Sequence, residues 1–219
     1  MKLLITIKRY IYWDLIYPLK KNFLNIPKSL FIFNYGLFNW FLLSRKNKIK
    51  LDLGTGAKGK NGFTTIALDG ADICWDLRRG IPLDDKSVEY IYSSHLLEHI
   101  PFRELIIFLK ECKRVLKDEG VFSVCVPNFR LYIEAYSNNR NFKVENYYKW
   151  AIADTGSKID QLNYMAYMNE EHKYLFDEEN LLNILLKTGF KKVKLRSFDP
   201  KLDAKRRDFE SIYAIAIKS

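Results

Sequence analysis

Leu51-Asp52-Leu53-Gly54-Thr55-Gly56-Ala57-Lys58-Gly59-Lys60-Asn61 is the stretch whose reading decides the fold. An apolar run from Ile49 to Leu53 has the texture of a buried strand, and the glycines that follow end it in a tight turn. Two nucleotide-binding patterns overlay the turn. As a phosphate loop it has Gly54, four residues, then Gly59-Lys60, but Asn61 stands where a Ser or Thr should hold magnesium. Three residues then separate Lys60 from the next strand, at Thr64, so the helix whose N-terminus should cradle phosphates has no room. As a dinucleotide fingerprint Gly54, Gly56 and Gly59 are in register, yet the acid expected on the ribose, Asp69, comes only ten residues after Gly59. Asp52 adds an anion where a diphosphate would gain nothing from one. The turn suits a cationic ligand without phosphates.

Outward from this turn, residues from Lys48 alternate short apolar runs with helical stretches, the pattern of an α/β domain with a mostly parallel sheet. Strands are expected near 49–53, 64–68, 73–75, 88–92 and 121–126, then at 190–198 and 211–217. A helix over 102–117 places Leu105, Ile106, Leu109, Val115 and Leu116 largely on one face and stops before Asp118-Glu119-Gly120. A second helix starts at Asp177 and ends at Gly189. Residues 128–171, rich in Tyr and Asn, read as an inserted helical cap, with Tyr132, Tyr136, Tyr147, Tyr148 and Trp150 as candidate stacking surfaces or ordinary helix core.

Before Lys48 the composition is different. The chain has 219 residues, enough for one core plus an appendage, and a net charge of +10. Residues 1–50 carry ten Lys or Arg against the single acid Asp14, and eleven of the 33 aromatics. A basic, aromatic arm over 1–47 fits either the headgroup region of an anionic membrane or packing on the core. It does not span, since the most apolar run, 30–43, is broken by Asn34, Gly36 and Asn39. Three scattered cysteines form no disulfide framework, which implies a reducing compartment; a cytoplasmic protein, peripheral at the inner membrane face, is expected.

His95-Leu96-Leu97-Glu98-His99 matches an inverted zinc-protease pattern. Pro101 ends any helix there within two residues and no third ligand is evident, so no metal is expected.

Read in order, these motifs resemble the class I S-adenosylmethionine-dependent methyltransferases, in particular the type 11-like group and its bacterial surface-polysaccharide-associated members. The resemblance rests on Leu51 to Gly56, Asp69, Asp76-Leu77, Tyr92 to His99, Arg114 to Lys117 and Pro127, then His172 to Phe176, Gly189-Phe190 and the strand around Tyr213. It implies a Rossmann-like seven-stranded sheet with an antiparallel last strand, spanning 48–219 with the cap at 128–171. It further implies that Asp52, Gly54 and Gly56 hold the methionine part of S-adenosylmethionine, Asp69 the ribose, Asp76 and Leu77 the adenine, and that Ser93 lies under the sulfonium. The departures are Thr55 where cysteine is usual, Asp118-Glu119 in place of Pro-Gly, and the missing helix after the glycine turn. For transfer to a hydroxyl, His95, His99 and His172 are the candidate bases, with Glu98 orienting. The expected acceptor is a small molecule or glycan, such as a lipid-linked sugar at the membrane. The alternatives are an RNA methyltransferase, with nucleic acid the less favoured partner, and a non-catalytic scaffold of the same fold. The oligomeric state is open.

Overall fold

A computed structural model describes residues 36–140, 142 and 155–219. Seven strands form one sheet: β1 (Lys50–Leu53), β2 (Thr64–Ala67), β3 (Ile73–Cys74), β4 (Val88–Ser94), β5 (Leu116–Pro127), β6 (Lys191–Leu195) and β7 (Ser211–Ile217), in the order β3-β2-β1-β4-β5-β7-β6. Every pairing from β3 to β5 is parallel, and β7 runs antiparallel to both β5 and β6. This is the Rossmann-like methyltransferase sheet that the sequence led us to expect. The order reverses beside β1, so the carboxyl ends of β1 and β4 frame the crevice where open α/β sheets take ligands.

Alternation along the strands sorts the two faces. Leu51, Leu53, Ile66, Ile91, Phe122, Val124, Ala214 and Ala216 point to one side and form the core. Onto it pack α1 (helical over 36–44), α2 (Phe102–Val115) and α5 (Glu178–Lys187). In α2 the buried set Leu105, Phe108, Leu109, Cys112 and Val115 recurs at helical spacing, and in α5 Leu181, Ile184 and Leu185 do the same. Asp177 caps α5 by accepting from Asn180 N–H at 2.8 Å. α2 ends at Val115 and β5 begins at Leu116, earlier than expected, because the Asp118-Glu119-Gly120 turn is an irregularity inside the strand, with Glu119 at φ 59°.

The expected arm divides by residue. Trp40 and Leu43 are buried in the main core, Trp40 edge-on to Trp75 at 6.1 Å, while Phe38, Phe41 and Leu42 are exposed. Residues 1–35 lie outside the described residues, as do Tyr147, Tyr148 and Trp150 of the cap. The described cap consists of α3 (Phe129–Ser137) and α4 (Ile159–Tyr167). Tyr132, offered above as a stacking surface, is 1% exposed and donates to Glu210 Oε2 at 2.6 Å, whereas Tyr136 is exposed. Among the described residues no helix is long and apolar enough to cross a membrane.

Candidate active site

The second face of the sheet is polar. Asp52 of β1 pairs with Thr65 of β2 and Tyr92 of β4, so all three side chains share that face, with Ser94 two residues beyond Tyr92. Above them lies a cleft of about 520 Å³. One wall is the glycine loop from Gly54 to Asn61, the other is Lys201 to Arg207 from the β6–β7 connection. The walls touch where Asn61 Nδ2 donates to the Lys201 carbonyl at 3.2 Å.

No helix follows β1; side chains stitch the loop down instead. Asp72 Oδ2 accepts from Gly59 N–H at 2.9 Å and Thr65 N–H at 3.1 Å, and Asp72 N–H donates to Thr65 Oγ1 at 2.9 Å. Thr65 Oγ1 donates to the Ala57 carbonyl at 2.6 Å, and Lys58 Nζ to the Ala71 carbonyl at 2.9 Å. Burial works against the Asp72 charge, but the Thr65 and Gly59 donors hold its carboxyl below the ordinary value. Two glycines are dictated by space. A Cβ on Gly59 would sit 2.0 Å from the Phe63 carbonyl oxygen, and Gly54 has φ 98° with Leu96 Cβ only 2.9 Å from where its own would be.

The opposite wall hangs on a buried network. Arg196 grips Asp203 through Nη1 at 2.6 Å and Nη2 at 2.8 Å, and its Nε donates to Ser123 Oγ at 2.9 Å. Tyr92 OH donates to Asp203 Oδ1 at 3.0 Å. Planar two-point pairing of this kind fixes orientation as well as charge.

The electrostatics are asymmetric. Asp52 accepts from Thr55 Oγ1 at 2.8 Å, and burial raises its carboxyl above the ordinary value despite that bond. Lys58, Lys60, Lys201, Arg206 and Arg207 line the rims. Burial, and then the neighbouring Arg206, pull the Arg207 guanidinium below its usual value. A partly desolvated carboxylate at the floor matches an ammonium, and cations at the rim match a carboxylate or phosphate. A zwitterionic, cationic cofactor such as S-adenosylmethionine has both complements, and the glycine turn leaves backbone open to it.

The anticipated residues are distributed unevenly around this cleft. Asp52, Gly54, Gly56 and His95 line it. Asp69 is exposed beside Gly56, its Oδ1 3.8 Å from where a Gly56 Cβ would be, and does not itself line the cleft. Asp76 caps the short turn Leu77–Arg79, accepting from Arg78 N–H at 3.0 Å and pairing with the Arg78 guanidinium at 2.7 Å, and Leu77 is buried in the core; neither lines the cleft. Ser93 is fully buried on the core side, donating to the Leu53 carbonyl at 3.2 Å. Ser94 is the β4 serine that faces the cleft, which strand parity alone would have shown. Asp72, Arg196 and Asp203 were missed as well, and the last two carried no sequence signal beyond a charged connection.

The three histidines separate. His95, at φ 50°, borders the cleft, with Nε2 2.9 Å from Ser211 Oγ. Burial, then Arg207 and the other two histidines, push its imidazole down to about 2, so the ring is neutral. His99 and His172 lie outside the cleft lining, edge to face at 5.0 Å beside Glu98. His95 and His99 share no helical face, because only Leu97–His99 is helical, as one 3₁₀ turn.

A family model described as a methyltransferase domain matches residues 40–195. No curated protein matches the sequence. Among solved structures, the chain is similar to an S-adenosylmethionine-dependent methyltransferase from Archaeoglobus fulgidus, at 15% identity over 83% of this chain and 91% of that one, with a TM-score of 0.48. It is also similar to an S-adenosylmethionine-dependent methyltransferase from Mesorhizobium loti, at 16% identity, 81% and 94% coverage and a TM-score of 0.47. A third is phosphoethanolamine N-methyltransferase 2 of Haemonchus contortus in complex with S-adenosyl-L-methionine, at 12% identity, 84% of this chain and 52% of that one, with a TM-score of 0.46. Motif order, sheet order and a match over most of the chain converge: this chain belongs to the methyltransferase-domain family and is an S-adenosylmethionine-dependent methyltransferase.

Proposed function

We propose that the enzyme methylates a hydroxyl of an anionic glycan, such as a lipid-linked sugar phosphate, at the cytoplasmic face of a membrane. The observation that carries this reading is the cleft itself: the desolvated carboxylate Asp52 on its floor, a second carboxylate, Asp203, already paired with Arg196, and five cationic side chains on its rims. The cofactor supplies an activated methyl on a sulfonium, so the protein's task is alignment and exclusion of water. In this reading Asp52 holds the cofactor ammonium, the backbone at Gly54 and Gly56 admits the methionine chain, and Asp69, beside Gly56, takes the ribose. Asp76 and Leu77 would reach the adenine only through backbone groups or after the Arg78 pair opens.

His95 is the base candidate that borders the cleft. A neutral imidazole does not repel a sulfonium; because Ser211 Oγ donates its hydrogen to the Arg207 carbonyl at 2.7 Å, His95 Nε2 donates to Ser211, and accepting from an incoming hydroxyl requires that contact to open and the ring to change tautomer. Burial, and then Arg207, leave that ring a weak base, so it positions a hydroxyl rather than holding its proton. The rim cations exceed what one cofactor carboxylate needs and would take a phosphate on the acceptor. At the arm, exposed Phe38, Phe41 and Leu42 beside Arg45 and Lys46 support contact of 1–47 with an anionic bilayer, leaving 48–219 as the methyltransferase domain and 128–171 as its inserted cap.

The test is calorimetric titration with S-adenosylmethionine and S-adenosylhomocysteine, followed by transfer of labelled methyl to lipid-linked sugar diphosphates, neutral glycans and RNA in parallel. Transfer to the sugar phosphates supports the proposal. Transfer to RNA, with steeply salt-dependent binding, overturns it in favour of a nucleic-acid substrate. Cofactor binding without transfer to any acceptor overturns it in favour of a scaffold.

A further inference from the structure

Glu98, His99 and His172 form a cluster outside the cleft lining; Glu98 Oε1 lies 3.5 Å from His95 Nδ1, and the proposed methyl transfer leaves His99 and His172 unused. One ligand atom from each lies within 4.8 Å of the others. Glu98 is 2% exposed, and its Oε2 has no hydrogen-bond partner among the described residues. A buried carboxylate oxygen left in this state costs free energy unless a cation meets it.

The imidazoles are set up to help hold one. His172 Nδ1 lies 2.6 Å from the Met165 carbonyl, and His99 Nδ1 lies 3.3 Å from the Glu171 carbonyl. A carbonyl accepts only, so each Nδ1 carries the hydrogen and each Nε2 is left with a lone pair. His99 Nε2 is 3.9 Å from Glu98 Oε1. A ligand atom of each imidazole and the Glu98 carboxylate therefore converge, and on its other side Glu98 Oε1 lies 3.5 Å from His95 Nδ1. Hydrogen-bonding one ring nitrogen to a backbone carbonyl is the usual way a protein orients a metal-binding histidine. A small cavity of about 10 Å³, lined in part by Glu98, His172 and Met165, is the size of one water.

We infer that Glu98, His99 and His172 bind one divalent transition-metal ion of the zinc type, completed by a water. Two imidazoles and one carboxylate form a ligand set suited to zinc, and bonds of about 2.0–2.2 Å require each ligand atom to move by less than about 1 Å. A proton on Glu98 would neutralise the carboxylate but could satisfy only one of the facing lone pairs. The metal ties the 3₁₀ turn after β4 to the chain leaving α4, where Lys173 and Tyr174 N–H already donate to the Glu98 carbonyl at 2.7 and 3.1 Å. His172, distant in sequence, is the third ligand that the His-Leu-Leu-Glu-His pattern lacked.

The experiment uses the full chain without a histidine tag, stripped with chelator and titrated with Zn²⁺ and, for its visible spectrum, Co²⁺. One equivalent of Co²⁺ with visible bands of a low-coordinate site is expected, and Zn²⁺ should raise the melting temperature. Glu98→Gln and His99→Ala should each lower Zn²⁺ affinity at least tenfold and abolish the thermal shift. His99 is partly exposed, so its variant keeps the fold even where the core substitution does not. Absence of stoichiometric binding, or binding unchanged in the His99 variant, overturns the inference. No readout depends on methyl transfer, so the two proposals fail independently.

Discussion

Arg196 and Asp203 meet across the polar face of the sheet in a two-point ion pair of 2.6 and 2.8 Å, the carboxylate fully buried and the guanidinium nearly so. This pair fastens the Lys201–Arg207 wall over β4 and β5. Removing one partner strands the other charge in a poorly solvated place, so Asp203→Asn should destabilise the fold by about 3–5 kcal/mol and loosen cofactor binding with it. Denaturant midpoints and calorimetry on the same preparations check both. A loss of stability without loss of affinity would detach the wall from the cofactor site.

Asp52→Asn should act in the opposite sense on stability. Its raised carboxyl reports a charge that burial disfavours, so neutralising it leaves the melting temperature equal or higher. Affinity for S-adenosylmethionine should fall at least tenfold, because the ammonium loses its counter-charge. Unchanged affinity would remove Asp52 from the site.

Gly54→Ala places a Cβ at a positive φ and 2.9 Å from Leu96 Cβ. A cost of about 1–3 kcal/mol is expected, from backbone strain and the contact together, read as a lower denaturant midpoint with an unchanged slope.

Glu210 gives a pH dependence. Burial pushes its carboxyl up from 4.5 to about 7, although the Tyr132 hydroxyl works against the shift. Between those values the folded chain holds a proton that the unfolded chain releases, so this group's contribution falls as pH rises from 4.5 to 7 and is level above. Glu210→Gln should flatten that part of the stability profile. Tyr132→Phe should extend it upward, by removing the donor that favours the charge. Melting temperatures across pH 4 to 8.5 check both.

The seven strands were legible because apolar runs bounded by Gly, Pro and Asp are a local signal, and Val88 to Tyr92 or Ser211 to Ile217 announce themselves without their neighbours. The faces were legible too, but only by counting in twos. Asp52 opposite Tyr92 sends the Ser94 side chain into the cleft and the Ser93 side chain into the core. What could not be read locally is what lies opposite. The Lys201–Arg207 wall is far from the glycine loop in sequence, and its anchor, Arg196–Asp203, looked like ordinary charge. Asp72 escaped notice because the helix it replaces is absent, and an absent helix does not say what does its work. Likewise His172 joined Glu98 only through the path of the chain around the cap.

Because the cleft is walled by the glycine loop on one side and by the β6–β7 connection on the other, its halves leave the ribosome at different times. Residues 54–61 emerge early, yet they have nothing to close against until 201–207 have followed and β7 has inserted between β5 and β6. In the proposed site the cleft is therefore complete only once the sheet is, which makes cofactor capture a late event in synthesis.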